Sequence, residues 1–151
     1  MPHIHDKIDF TIEVFIVHNN KVLLRIHDKL KKWLSVGGHI ELDEDPVQAA
    51  IREVKEEVGL DIKIPEPNFN SSIKDYKELM TPRFLNRHKI NENHEHVTLV
   101  YFVKSNTDKL ILSKTEITED CKWFTKEEIN NDSSILPHIK YYAIKALEET
   151  N

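Results

Sequence analysis

The sequence predicts a single mixed α/β domain, and three observations carry that expectation. Its 151 residues suffice for one domain, spanning 1–151, and hardly for two. Its apolar pattern runs as a strand pair, a helix, further strands and two closing helices. The strands do not alternate regularly with helices, which argues against a doubly wound parallel sheet.

Each element has a local reason. "IDFTIEVFIV" is rich in Ile, Val and Phe up to Val17, and Asn19-Asn20 can supply the positive φ angles of a tight hairpin turn. "KVLLRIH" is then the returning strand. A polar loop follows, with Trp33 as a packing anchor and a Gly37-Gly38 pair. "DPVQAAIREVKEEVGL" starts a helix, with Asp45 as N-cap, Pro46 at the first helical position and Gly59 as C-cap. Val47, Ala50, Ile51, Val54 and Val58 fall at spacings of three and four and predict its packed stripe. "LDIKI" reads as a short strand stopped by Pro65 and Pro67. Residues 66–93 are polar and hold a short strand, a loop or both. "HVTLVYFVK" is a central strand, being mostly apolar. "KLILS" is a further short strand candidate. "CKWFTKEEIN" reads as strand then helix, with Thr125 and Glu128 in capping-box spacing. "LPHIKYYAIKALEE" closes the chain as a helix that turns Ile139, Tyr142, Ala143, Ala146 and Leu147 to the core.

Composition narrows the function classes. With 39% hydrophobic and 31% charged residues the chain is of ordinary globular type. A net charge of −5 does not indicate a surface for a nucleic-acid polymer. An acidic protein can still bind a phosphorylated small molecule when metal ions carry the positive charge. The single cysteine, Cys121, permits no internal disulfide and reads as a packing residue. The N-terminal "MPHIHDKIDF" lacks the apolar segment of a signal peptide, and runs such as "VTLVYFV" are too short to span a bilayer. The expectation is a cytoplasmic protein with no membrane partner.

The chemistry concentrates in one helix. Glu53, Glu56 and Glu57 stand at i, i+3 and i+4, so their carboxylates share a face. Like charges at that spacing repel by a few tenths of a kcal/mol per pair in water, and more where water is excluded. Arg52 can pair with Glu56, but one guanidinium cannot neutralise three carboxylates. Mg²⁺, a hard ion that takes oxygen ligands and keeps waters, suits such a face. Gly37 and Gly38 let backbone approach a ligand and expose a carbonyl. A solvated acidic helix face is the alternative for "REVKEE" taken alone. No glycine-rich phosphate loop of the dinucleotide or P-loop type is present.

The spacing around those glutamates decides between the two. Gly38, five residues, Glu44, seven residues, then Arg52-Glu53-Val54-Lys55-Glu56-Glu57-Val58-Gly59-Leu60 satisfies every fixed position of Gly-x5-Glu-x7-Arg-Glu-U-x-Glu-Glu-x-Gly-U, where U is a bulky aliphatic residue. The chain therefore resembles the Nudix hydrolases of the MutT-like group. The signature covers residues 38–60, and the flanking strands fit the family layout more loosely. The resemblance implies an α/β/α sandwich around a mixed sheet, with the signature as a loop–helix–loop. It implies cleavage of a nucleoside diphosphate linked to another group, with Mg²⁺, or Mn²⁺ in its place, as cofactor. Glu53, Glu56 and Glu57 would be metal ligands, with the Gly37 carbonyl as a further one. Arg52 would orient the glutamates, and Glu44 would assist near the metals or through Arg52. One departure is Asp43, where members often carry Gly before the first signature Glu; it bears on the loop conformation alone.

Other residues are open at this level. The general base is a signature Glu or an acid from a later loop; of Glu92 and Glu95 the latter, nearer the strong strand, is preferred, and a solvated loop acid is an equal alternative for it. Glu116 is a further acid near the site or a solvated one. His88, His94 and His96 lie within nine residues; their spacing matches no standard zinc pattern, which favours surface or substrate-contacting roles. Trp123 and Phe124 either stack on a base or belong to the core. A non-catalytic nucleotide sensor is the second functional reading, and retention of every signature glutamate argues against it. A compact substrate such as a nucleoside triphosphate is favoured, and both monomer and homodimer are compatible with the sequence.

Overall fold

Two long strands lying side by side in parallel organise the sheet. In the computed structural model, which describes residues 3–27, 30–68, 72–112 and 121–150, β1 (Ile8–His18) pairs with a strand at His94–Lys104 from Ile8↔Glu95 to Val17↔Lys104. Asn19 and Asn20, at φ 47° and 59°, turn the chain into β2 (Lys21–Ile26), as their side chains predict. β2 leaves β1 after two residue pairs, which frees the other half of that β1 edge for β4 (Val36–His39). β3 (Trp33–Leu34) pairs with β2. β5 (Phe84–Asn91) and β6 (His94–Lys104) form a second hairpin, with β5 as a terminal strand. β7 (Cys121–Phe124) adds to β2. Every pairing but β1–β6 is antiparallel, so the sheet is mixed as expected.

Alternation along β1 makes two cores. Ile12, Val14 and Ile16 pack with Ala50, Val54 and Val58 of helix α1 (Pro46–Val58). Phe15 and Val17, on the opposite face, pack with Ile129 of α2 (Lys126–Asn131) and with Ile139, Tyr142, Ala143, Ala146 and Leu147 of α3 (Pro137–Glu149). Both sets are buried, and each Val, Ile or Phe so removed from water contributes about 1.5–3 kcal/mol before entropy is counted. The result is the α/β/α sandwich. Trp33 serves the second core, its ring edge-on to Phe124 at 5.0 Å. No helix among the described residues is long and apolar enough to cross a membrane.

The caps hold where local chemistry placed them. Asp45 accepts the Gln48 amide at 2.8 Å while the Gln48 side chain accepts the Asp45 amide at 2.9 Å. Thr125 and Glu128 form the same reciprocal pair at the start of α2. The packed face of α1, however, is turned from the expected stripe. Its buried residues are Ala49, Ala50, Glu53, Val54, Glu57 and Val58, while Ile51 is exposed. Two carboxylates, not Ile51, occupy the face toward β4.

Two expected strands are absent from the described residues. "LDIKI" carries no strand; Leu60 and Ile62 are buried in the α1-side core without ladder partners. Residues 109–112 are likewise irregular, and Ser113 lies outside the described residues. Instead the Ile111 amide donates to the Val58 carbonyl at 2.9 Å, closing the end of α1. Both segments have strand-like side chains but spend them on packing. Within the polar stretch 66–93, β5 is the one strand among the described residues, half-exposed and at the sheet edge.

Gly59 joins these segments. At φ +73° it donates to Lys55 O at 3.1 Å, and a Cβ there would lie 2.6 Å from Ile111 Cβ. Gly59→Ala should therefore cost at least the roughly 1–2 kcal/mol of a left-handed Ala. Urea denaturation should show a lower midpoint with an unchanged m-value.

Candidate active site

Helix α1, strand β4 and the start of β2's outer half bring the signature residues together. Glu53 and Glu57 are each only 4% exposed, so their charge must be met inside the protein. Glu57 Oε2 accepts the Gly37 amide at 3.2 Å, and its Oε1 accepts Arg25 Nη2 at 3.2 Å. Arg25 Nε also lies 3.2 Å from Glu57 Oε2, though it is not aligned for a hydrogen bond. Glu53 lies against β4 at Gly38, where a Cβ would come within 2.4 Å of Glu53 Oε1. Gly38 thus leaves room for this carboxylate to lie against the strand.

Arg52 ties the group. Its Nε and Nη2 donate to the two Glu44 oxygens at 3.0 and 2.6 Å, a bidentate pair. Its Nη1 donates to Glu53 Oε1 at 3.0 Å and to Glu56 Oε2 at 3.1 Å. Nη2 also donates to the His39 carbonyl at 3.1 Å, which fastens the helix to β4. The Arg52 hydrogen bonds hold the Glu44 carboxyl below the usual range, and Glu44 in turn raises the guanidinium's already high pKa. Among the described residues, four carboxylates, Glu44, Glu53, Glu56 and Glu57, thus meet two guanidiniums on a partly dry face. Glu56, more than half exposed, marks its solvent side.

Some functional groups lay beyond sequence reasoning. Arg25 was visible as a lone cation in an apolar strand, but only the fold aims it at Glu57. Glu13 stands opposite Gly37 on β1 and accepts Ser35 Oγ at 3.0 Å; burial pushes its pKa up, and the Ser35 hydrogen bond offsets part of that. A cleft lined by Phe10, Ile40, Leu42, Leu85, Val97 and Leu99 opens beside the signature loop, with Pro46 at its edge. Phe10, Leu42 and Leu85 there are exposed.

Other candidates lie apart from the carboxylates. Glu95 is not in a loop but in β6, in register with Ile8, whereas Gly37 is in register with Glu13. Five residues of strand separate those positions, about 16 Å. The Glu95 carboxylate pairs with Arg87 of β5 at 2.5 Å, and that hydrogen bond keeps its pKa low. Glu92 sits in the β5–β6 turn. Glu116 lies outside the described residues. Phe124 belongs to the core, and Trp123 packs beside it on the other face with Nε1 donating to Asp108 O at 3.1 Å. Cys121 packs against the α1-side core. His94 and His96 gather on the opposite face of the sheet from α1, near His39 and Asp9.

Known proteins share this arrangement. The NUDIX domain family model matches residues 10–144. A NUDIX-family hydrolase from Clostridium perfringens is 35% identical, covers 93% of this chain and 96% of its own, and superposes with a TM-score of 0.82. A MutT NUDIX hydrolase from Burkholderia pseudomallei, at 17% identity over 97% and 100% of the two chains, superposes with a TM-score of 0.69. A MutT protein from Methanosarcina mazei Go1, at 15% identity and 97% coverage of both chains, gives 0.66 and shares the fold. With an intact signature mounted on a buried, charge-paired helix, the chain belongs to the Nudix family of hydrolases, enzymes that act on phosphoanhydride bonds.

Proposed function

We propose that this protein is a single-domain, Mg²⁺-dependent pyrophosphohydrolase that cleaves the diphosphate of a nucleotide, a nucleoside triphosphate being the favoured substrate. The observation that carries this reading is the burial of Glu53 and Glu57 beside Gly38, within a carboxylate group that outnumbers its guanidiniums. An all-oxygen donor set with excess negative charge fits a hard divalent cation, Mg²⁺ first and Mn²⁺ in its place. Glu53, Glu56 and Glu57 would hold it, with the Gly37 carbonyl as a further ligand. When bound, such an ion neutralises the diphosphate and acidifies a water for attack on phosphorus.

The chain's own residues supply the rest by position. Arg52 fixes the Glu53 and Glu56 carboxylates from one side and takes Glu44 as its counter-ion. The Gly37 amide and Arg25 do the same for Glu57. Such preorganisation is most of what phosphoryl transfer asks of a protein. Glu95 of β6, held by Arg87 of β5 and in register with the start of β1, stands outside this group. Phe10 in the apolar cleft offers a ring on which a base can stack. Monomer and homodimer remain equally compatible with this site, and no membrane or nucleic-acid polymer enters it.

A screen of nucleotide diphosphate derivatives with Mg²⁺, products identified by mass, tests the reading. The expected result is diphosphate cleavage that EDTA abolishes. Glu53→Gln and Glu57→Gln should each lower kcat by roughly 10²–10³-fold with circular dichroism unchanged, as removal of one preorganised charge contact typically does. Wild-type turnover in both variants would overturn the ligand assignment.

Arg52→Lys should retain charge yet lose the bidentate grip on Glu44, lowering Mg²⁺ affinity by about 10–100-fold. Arg52→Met should destabilise by roughly 2–4 kcal/mol, since it leaves the buried Glu53 and the half-buried Glu44 without this partner. The Glu44 pair also has a signed pH dependence. Its folded pKa is depressed, so its stabilisation is complete above the unfolded value of about 4.3 and is lost as pH falls through the lower folded value. Tm measured against pH should show that acid loss in the wild type and a shallower one in Arg52→Met. Phe10→Ala should raise KM more than it lowers kcat; an unchanged KM would remove Phe10 from substrate binding.

A further inference from the structure

The sheet face opposite α1 carries a cluster that the diphosphate chemistry does not use. Strand pairing puts Asp9 of β1 in register with His96 of β6, and Thr11 in register with His39 of β4. His94 lies two residues before His96, and His3 arrives from the N-terminal segment. One donor atom from each of His3, Asp9, His39 and His96 lies within 4.8 Å of every other. Asp9 Oδ2 is 3.4 Å from His3 Nδ1, 3.2 Å from His39 Nε2 and 3.3 Å from His94 Nε2. A tetrahedral ion with bonds of about 2.0–2.1 Å spaces its donors by roughly 3.3 Å.

The polar accounting points the same way. Asp9 is 1% exposed, and the Nε2 atoms of His39, His94 and His96 are buried without a hydrogen-bond partner. Two of them lie 3.2 and 3.3 Å from Asp9 Oδ2 without hydrogen-bond alignment, and burial of such nitrogens unsatisfied is costly. The His94 Nδ1 lies 3.1 Å from the Asp6 carbonyl, which can only accept, so that nitrogen donates to it while Nε2 faces the Asp9 carboxylate. The Ile4 amide at 3.0 Å and the His5 amide at 2.6 Å orient Asp9, and an Nδ1–H on a carbonyl is the usual support of a ligating imidazole.

From this geometry we infer a second metal site, in which Asp9, His39, His96 and His3 bind a zinc-class divalent ion and His94 offers a further donor. An imidazole-rich set favours Zn²⁺ over Mg²⁺, which distinguishes this site from the carboxylates of α1. The ion would clasp the N-terminal segment, β1, β4 and β6 together. It would also brace β4 from the side opposite Glu57.

The test uses the full chain carrying both Glu53→Gln and Glu57→Gln, stripped with a chelator, so that the outcome is independent of the proposed hydrolysis. Titration with Co²⁺ should show one equivalent bound, with visible absorption of nitrogen-ligated cobalt that Zn²⁺ displaces and excess Mg²⁺ does not. Zn²⁺ should raise Tm in the same background. His39→Gln and His96→Gln should weaken Co²⁺ binding at least about tenfold. His3→Ala, at an exposed position, should weaken it as well and serves should the buried variants fail to fold. Absence of stoichiometric binding, displacement by Mg²⁺, or undiminished affinity in the histidine variants would overturn the assignment.

Discussion

Glu53 and Glu57 occupy helix positions that packing alone would give to Val or Leu. Holding two carboxylates at 4% exposure against a sheet is tolerable only with compensation close by, and much of the α1 side is arranged to provide it. Arg52 reaches four acceptor groups, Arg25 enters from β2, and β4 turns the Gly37 amide outward from the sheet. Gly38 fits the same constraint, because a methyl group there would displace the Glu53 carboxylate from its place. Among the described residues two guanidiniums face four carboxylates on this side.

The parallel pairing of β1 and β6 sets what each face can do. It aligns Ile12, Val14 and Ile16 with Leu99, Tyr101 and Val103 under α1, giving that helix a rigid apolar bed. The same register aligns Asp9, Thr11 and Phe15 with His96, Thr98 and Phe102 on the other face. That face changes from polar to apolar along its length. Thr11 and Thr98 share a hydrogen bond at 2.7 Å between the histidine cluster and the aromatic core over α3. Two chemistries therefore sit back to back on one sheet, and β4 takes part in both.

Much of this was legible in the chain. The Asn19-Asn20 turn, the Asp45 and Thr125 caps, Gly59 and the five core positions of α3 are decided within a few residues, and local chemistry places them correctly. The signature states the site because its residues are neighbours on one helix. The phase of that helix differs from the apolar periodicity, which turns Ile51 inward; burial of Glu53 and Glu57 overrides it. Residues 60–64 and 109–112 have strand composition but no ladder, because pairing partners are a property of the fold. The Asp9–His39–His96 cluster spans most of the chain and comes from strand register alone. Histidine spacing in sequence gives no sign of it.

β5 ends the sheet, and its outer edge has no strand partner among the described residues. Such an edge is a template on which another chain can add a strand. Here Arg87 and Lys89 are exposed along it, and Arg87 is drawn across the hairpin by Glu95. A second copy aligning on this edge would bring the same cations face to face. Sheet extension by a like copy is thereby discouraged.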